Sequence, residues 1–109
     1  MSHYFPSRDE MSPHTIFGNV QVRTCAGEHL QFSLADIPDG GVIGEHSHTN
    51  EQMGIVLAGT PRFTIGGETK MLKAGDVFRI PGGVVHSVVA LDGPFKALDV
   101  FWPIRDEYR

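Results

Sequence analysis

Apolar and polar residues alternate with a period of two along much of this chain, which is the pattern of β-strands that bury one face. Val20 and Val22 alternate with polar neighbours, and a second alternation runs from Leu30 to Leu34, where Gln31 and Ser33 fill the polar positions. A continuous apolar run at 53–57 is typical of a further strand. No apolar stripe with helical spacing is longer than two turns.

The second half of the chain repeats this pattern between tight turns. A hairpin is predicted from Arg62–Ile65 and Glu68–Leu72, because Gly66-Gly67 between them can adopt the positive φ angles of a two-residue turn. Three more strands are expected at 77–80, 84–91 and 95–101, with glycine- and proline-containing turns between them. We therefore predict about eight to ten short strands in an all-β antiparallel barrel or jelly roll. Met53 and Met71 are expected to fill its core.

Length and composition favour one domain. The chain has 109 residues and a single cysteine, so no disulfide can form within it. Residues 1–15 are polar and contain two prolines, and we interpret them as an N-terminal arm that precedes a single barrel domain at 16–109. A net charge of -4 argues against nucleic acid as a partner. The sequence shows neither a signal peptide nor an apolar stretch of about 20 residues that could span a membrane, so a cytoplasmic location is expected.

Three histidines and one glutamine are the candidate metal ligands. His46 and His48 are two residues apart, so they project from the same face of an extended segment, and Gln52 follows closely. His86 lies on a different predicted strand. The neighbouring Glu51 would point to the opposite face of the strand. Imidazole nitrogens with one amide oxygen suit one divalent ion, with Zn, Ni, Fe or Mn as the candidates.

The spacing of these ligands relative to glycines and a proline resembles the paired motifs of the cupin superfamily. That resemblance implies a small barrel with the metal ion inside it. Two departures stand out, since Gln52 replaces the glutamate that is usual in the first motif and Ala90 replaces an asparagine often found after the second. The first motif comprises Gly40, His46-Ser47-His48, Gln52 and Gly59, and the second comprises Gly75, Pro81-Gly82-Gly83 and His86.

The C-terminal segment adds three candidate site residues. Asp99 and Phe101 share a face of an extended segment, and an apolar neighbour would raise the pKa of the carboxyl group, which suits an acid that transfers protons. Arg105 has the side chain to hold a substrate carboxylate through two parallel hydrogen bonds. The alternative interpretation is structural: Asp99 caps a turn, Phe101 belongs to the core, and Arg105 pairs with surface acids.

The run from Gly40 to Arg105 also resembles the pectin-degradation cupins that linearise 4,5-unsaturated monouronates, the KdgF-type family. That resemblance implies that the three histidines and the glutamine bind the metal ion and that Asp99, Phe101 and Arg105 belong to the active site. Thr49-Asn50 and Trp102 depart from the family pattern. The matching segments are His46-Ser47-His48, Glu51-Gln52, Phe63-Thr64-Ile65-Gly66-Gly67-Glu68, Lys73-Ala74-Gly75-Asp76 and Asp99-Val100-Phe101.

Taken together, these features predict an enzyme that converts a 4,5-unsaturated uronate, or a similar enol or keto acid, to its open-chain keto form. Asp99 would act as general acid and base, Arg105 would act in catalysis and substrate binding, and Phe101 would contact the anionic small-molecule substrate. Two alternatives stay open: a metal-dependent dioxygenase or polyketide cyclase acting on an enolic substrate, and a non-enzymatic module that binds sugar or metal. A homodimer is expected, with the arm from Tyr4 to Ile16 as a candidate contact.

Overall fold

Residues 4–109, which the computed structural model describes, form ten β-strands and two 3-10 turns of three residues each. No helix in this part of the chain is both long enough and apolar enough to cross a membrane. The strands are β1 (Ser12–Ile16), β2 (Val20–Ala26), β3 (Gln31–Ile37), β4 (Val42–His46), β5 (Glu51–Ala58), β6 (Arg62–Ile65), β7 (Glu68–Met71), β8 (Val77–Ile80), β9 (His86–Val89) and β10 (Phe95–Trp102), and the 3-10 turns are Arg8–Glu10 and Asp106–Tyr108.

The strands form two facing antiparallel sheets, which confirms the predicted barrel or jelly roll. One sheet has six strands in the order β1-β2-β3-β10-β5-β8, and the other has four in the order β4-β9-β6-β7. Alternate side chains of each strand point between the sheets, where they form an apolar core. This core consists of Val20, Val22, Ala35, Ile37, Val56, Phe63, Leu72, Phe78, Ile80, Val88, Ala90, Phe95 and Ala97.

The predicted hairpin at 62–72 is confirmed. β6 pairs with β7 in a register that places Ile65 opposite Glu68, so only Gly66 and Gly67 form the loop. Their φ angles are 56° and 84°, a backbone conformation that residues with a Cβ rarely adopt. The two glycines are therefore required by the turn itself.

The prediction that Met53 and Met71 fill the core is wrong. Met53 is 48% exposed and Met71 is 47% exposed. On β5, the strict alternation turns Gln52 and Val56 inward, so the apolar run that contains Met53 covers both faces of the strand. β3 shows the same effect, because its buried positions include Gln31 and Ser33 while Phe32 is 40% exposed.

The N-terminal segment joins the six-stranded sheet. β1 pairs with β2 along its whole length, from Ser12 opposite Thr24 to Ile16 opposite Val20. Pro13 is tolerated because β1 is an edge strand, where the missing N–H leaves no neighbouring strand unpaired. The predicted division between an arm at 1–15 and a domain at 16–109 falls inside this strand, and residues 1–3 of that arm lie outside the described residues.

Candidate metal centre and its cavity

A β-bulge on β4 turns His46 toward the inside of the barrel. Ile43 pairs with Val88 and His46 pairs with His86, so the two pairs are three residues apart on β4 and two residues apart on β9. With a regular period of two, Ile43 and His46 would face opposite sides of the strand. The extra residue on β4 restores His46 to the inner face, and both residues line the same cavity.

The turn at Pro81-Gly82-Gly83 supports the loop that carries His48. The backbone N–H of Gly83 donates a hydrogen bond of 2.8 Å to the carbonyl oxygen of His48. A Cβ atom on Gly82 would lie only 2.4 Å from the carbonyl oxygen of Thr49. The second motif therefore contains glycine because its backbone packs directly against the ligand loop of the first motif.

The three histidines meet inside this end of the barrel with a common tautomer. Their ligand nitrogens lie within 4.8 Å of one another. Each ring Nδ1 is 2.8–3.0 Å from a backbone carbonyl oxygen. Because a carbonyl oxygen only accepts, each Nδ1 carries the proton and donates, which leaves a lone pair on each Nε2. His46, His48 and His86 are thus oriented as metal ligands are oriented by hydrogen bonds from their other ring nitrogen.

Gln52 completes the set of donor atoms. Its Nε2 donates a 2.9 Å hydrogen bond to Oδ1 of Asp99, so its Oε1 faces Nε2 of His48 at 3.0 Å. Both of the facing atoms are acceptors when His48 is neutral, and a shared cation satisfies two such lone pairs. The described residues therefore fit a divalent metal ion held by three imidazole nitrogens and one amide oxygen.

Burial shifts the proton affinities of the site. Desolvation lowers the pKa of His86 to about 4, and desolvation followed by the charge of Arg105 lowers the pKa of His48. Both imidazoles are therefore neutral near pH 7. Desolvation raises the pKa of Asp99 to about 6, against the smaller opposing effect of the hydrogen bond from Gln52. A carboxyl group with that pKa exchanges protons readily near neutral pH.

Asp99 and Phe101 both face the cavity from β10. Asp99 lies opposite Ser33 of β3 and Gly54 of β5 in the strand register. Phe101 is 4% exposed, and its ring centroid is 5.9 Å from that of His48. Phe101 is thus part of the buried interior, as the structural alternative expected, and it also lines the cavity that contains Asp99.

Arg105 lines the same cavity and is held in one orientation. Its Nε donates a 2.9 Å hydrogen bond to Glu107, which agrees with the expected pairing with an acid. Its guanidinium carbon lies 4.3 Å from the ring centroid of Tyr108 and 5.3 Å from that of Phe101. Cation–π contacts of this kind fix a guanidinium group that is already partly desolvated.

Three buried polar side chains fasten the segment that carries Arg105, which we call the C-terminal strap (residues 103–109). Gln31 accepts a 2.9 Å hydrogen bond from the backbone N–H of Arg105 and donates one of 3.2 Å to its carbonyl oxygen. Asn50 Nδ2 donates to the carbonyl oxygen of Pro103 at 2.6 Å, and the Thr24 hydroxyl donates to that of Tyr108. Sequence reasoning missed these roles, although polar residues at inward strand positions were a signal available from the alternation.

Two aromatic residues of the cavity were also missed. Phe17, in the β1–β2 turn, has a φ of 49°, and its ring centroid is 5.3 Å from that of His46. Tyr108 lines the cavity from the strap. Neither belongs to a spaced motif, so nothing in the local sequence indicated its position.

The chain is similar in sequence to a known protein family and to one characterised protein. The cupin domain family model matches residues 33–101. The pectin degradation protein KdgF of Dickeya dadantii (strain 3937) is 34% identical over 70 residues, which cover 62% of this chain and 64% of that protein. The match thus spans less than two thirds of the length of this curated relative.

Two solved structures share the architecture. KdgF from Halomonas sp. is 27% identical, with 93% of this chain and 94% of that chain covered and a TM-score of 0.82. An RmlC-like cupin from Shewanella frigidimarina NCIMB 400 is 24% identical, with 99% and 97% covered and a TM-score of 0.89. At 24% identity, the similarity to the Shewanella protein shows a shared fold and nothing more.

Proposed function

This chain belongs to the cupin domain family as a KdgF-like member, and from that premise we propose that it is an enzyme that isomerises a 4,5-unsaturated uronate to its open-chain keto form. One observation carries the proposal. The carboxyl group of Asp99 and the three-histidine cluster lie on either side of Gln52, with hydrogen-bond distances of 2.9 and 3.0 Å to its amide, in a cavity that Arg105 also lines. A proton-transfer group, a metal-ligand set and an anion receptor therefore share one space.

We propose that His46, His48, Gln52 and His86 hold one divalent metal ion. When bound, such an ion supplies Lewis acidity that polarises a substrate oxygen. Gln52 has a second role in this arrangement, because its amide connects the ligand set with Asp99. The hydrogen bond from Gln52 keeps the carboxyl group oriented toward the cavity.

Asp99 is the proposed proton-transfer residue. Ring opening breaks the bond between C1 and the ring oxygen; the hydroxyl group on C1 loses its proton and becomes the aldehyde, and the ring oxygen gains a proton and becomes the enol hydroxyl group on C5. The freed enol at C5 then becomes a ketone as C4 gains a proton and the enol oxygen loses one. The product has the same composition and oxidation state as the substrate. With a pKa raised to about 6, Asp99 can take up a proton and return it within one turnover.

Arg105 is the proposed receptor for the substrate carboxylate. Its Nε donates a hydrogen bond to Glu107, and its guanidinium carbon lies over the rings of Tyr108 and Phe101. The terminal amino groups provide the edge that pairs with a carboxylate. The strap thus presents a fixed cationic group to an anionic substrate.

The direct test is turnover of a 4,5-unsaturated galacturonate by metal-loaded protein, followed as loss of the alkene absorbance. Asp99→Asn retains an oxygen that accepts the hydrogen bond from Gln52 but cannot transfer protons. We expect it to lower kcat about 100-fold or more while metal content is unchanged. His29→Ala, which changes a histidine outside the site, is the matched control. Wild-type protein that is fully loaded and gives no acceleration over buffer would overturn the substrate assignment.

The same samples distinguish the other functions that the ligand set allows. Oxygen uptake by iron-loaded protein with an enolic substrate would favour a dioxygenase. Tight binding of galacturonate without turnover would favour a sugar-binding module. Elemental analysis of the purified protein identifies which divalent ion is bound.

We also propose that the chain forms a homodimer. The outer face of the six-stranded sheet supports this, because it exposes apolar side chains over several strands in place of the usual polar ones. Sedimentation velocity tests it, with Met53→Glu as the disruptive variant. The control is Val85→Glu, at a similarly exposed position that directly precedes β9 of the four-stranded sheet. A monomeric wild type at micromolar concentration would refute it. The residues of that outer face are Leu30, Phe32, Met53, Val100 and Trp102.

A further inference from the structure

A continuous series of ring contacts includes four residues that line the cavity, namely Phe17, His46, Phe101 and Tyr108. Successive ring centroids are 5.3 Å apart for Phe17 and His46, and 5.7 Å for His46 and His48. The series continues through Phe101 to Tyr108 and ends on His14. His14 lies on β1 and Phe17 in the turn that follows it, so the series begins and ends on one hairpin. We call these six residues the aromatic rim.

Phe17 is the unusual member of the aromatic rim. Its φ of 49° is strained for a bulky residue, and the following Gly18 has a φ of 85°. The ring is nevertheless 45% exposed, so burial in the core does not explain why phenylalanine occupies this position. Strained backbone that is retained at the edge of a site points to a functional role for the side chain. Here the strain holds an exposed aromatic ring over a candidate metal ligand.

The size of the cavity determines where a substrate can lie. The volume of the cavity is about 60 Å³, enough for about two water molecules. Ordinary small-molecule sites are several times larger, at roughly 300–1,000 Å³. A six-membered ring is larger than this space, so part of a bound ring would lie outside it, beside exposed lining residues such as Phe17.

We propose that Phe17 is a specificity-determining residue that packs against the apolar C–H face of a closed-ring sugar acid while Arg105 binds its carboxylate. The inference rests on the proposed function and adds to it the residue that recognises the ring. Tyr108 supports the same orientation from the strap, because its ring lies 4.3 Å from the guanidinium carbon of Arg105. Both aromatic residues lie outside the region that matches the cupin family model, so this recognition belongs to the terminal segments.

The experiment compares Phe17→Ala and Phe17→Gly with Leu57→Ala, which truncates an apolar side chain of similar exposure (48%) away from the cavity. With 4,5-unsaturated galacturonate as substrate, both Phe17 variants should raise KM about 10-fold or more and change kcat less than 3-fold. The dissociation constant of saturated galacturonate, measured by calorimetry, should rise in parallel. Because glycine adopts positive φ freely, Phe17→Gly should keep the wild-type melting temperature or exceed it.

Each outcome decides a different point. Unchanged KM and unchanged galacturonate affinity in both variants, with full metal content, would overturn the inference and leave the proposed function intact. Loss of bound metal in either variant would also overturn it, because the ring would then act through His46. A wild-type protein that neither turns over the unsaturated uronate nor binds the saturated one would overturn the proposed function and this inference together.

Discussion

The two halves of the candidate site are assembled in different ways. In the imidazole half, the orientation of each ring is set by a short-range contact, since each histidine Nδ1 pairs with a carbonyl oxygen only two residues away. The carboxylate–guanidinium half depends on contacts between distant residues. Gln31 fastens Arg105 across 74 positions of the chain, and Asn50 fastens Pro103 across 53. Local contacts thus orient each imidazole once strand pairing has brought the three together, whereas the orientation of the Arg105 backbone depends on contacts between distant residues.

Removal of a candidate metal ligand should give the largest difference in metal affinity between variants of the two halves. His86→Ala should weaken the binding of a divalent ion 100-fold or more, because one of three converging nitrogens is lost from a buried site. Arg105→Leu should leave that affinity within about 3-fold. Competition titration with a chromogenic chelator measures both. Equal losses in the two variants would show that the halves are not independent.

A smaller effect is expected from the glycine that packs against the ligand loop. In Gly82→Ala the new methyl group would meet the carbonyl oxygen of Thr49, displacing His48 and costing about 1–3 kcal/mol of unfolding free energy. Metal affinity should fall about 10-fold. Gly44→Ala is the matched control, since nothing lies within 4 Å of its added Cβ. Urea unfolding and the same titration test both variants, and an unaffected Gly82→Ala protein would contradict the packing argument.

The strap should respond to Gln31→Leu without any change in metal affinity. Gln31 is 1% exposed, and its loss leaves the backbone N–H and carbonyl oxygen of Arg105 without these hydrogen bonds. We expect about 2–3 kcal/mol less unfolding free energy and a raised KM. Gln21→Leu, an exposed glutamine on β2, serves as the comparison. If the metal affinity fell together with the KM effect, the strap would be part of the metal-ligand half.

The smallest effect is predicted for Glu107→Gln. The partner of this side chain is the guanidinium group of Arg105, but Glu107 itself is 60% exposed. Surface pairs of this kind contribute less than about 1 kcal/mol, so the melting temperature should hardly change. A rise in KM of about 2-fold to 3-fold would show that the pair orients Arg105. A rise as large as that of Arg105→Leu would mean that the aromatic contacts contribute nothing to its position.

This contrast explains which features could be predicted from the sequence. Strand alternation and the Gly66-Gly67 turn are local, so the antiparallel fold and its hairpin were predictable. Which face of a strand turns inward was not, because apolar residues on both faces of β3 and β5 concealed it, as the exposure of Phe32 and Met53 shows. The spacing of residues within the two motifs identified the four candidate ligands. Their role as ligands stays a prediction.

Residues of the site that lie outside a spaced motif escaped sequence reasoning. Phe17 reaches the cavity only because β1 pairs with β2, although the first 15 residues carry no strand signal. Tyr108 does so because Thr24 holds the end of the strap. In both cases the position of the side chain is a property of the assembled sheets.

The bulge on β4 makes chain length as important as residue identity near His46. Three residues of β4 there match two of β9. A deletion of one residue at Gly44 or Glu45 would remove the bulge and give regular pairing, in which Ile43 and His46 are two residues apart and still share the inner face. All four candidate ligands would remain in such a sequence, yet the carbonyl oxygen of Gly44 would no longer lie two residues before His46, where it accepts the hydrogen bond from Nδ1. An insertion or deletion in this short segment therefore changes the orientation of the imidazole, and homologous sequences aligned through it should keep its length constant.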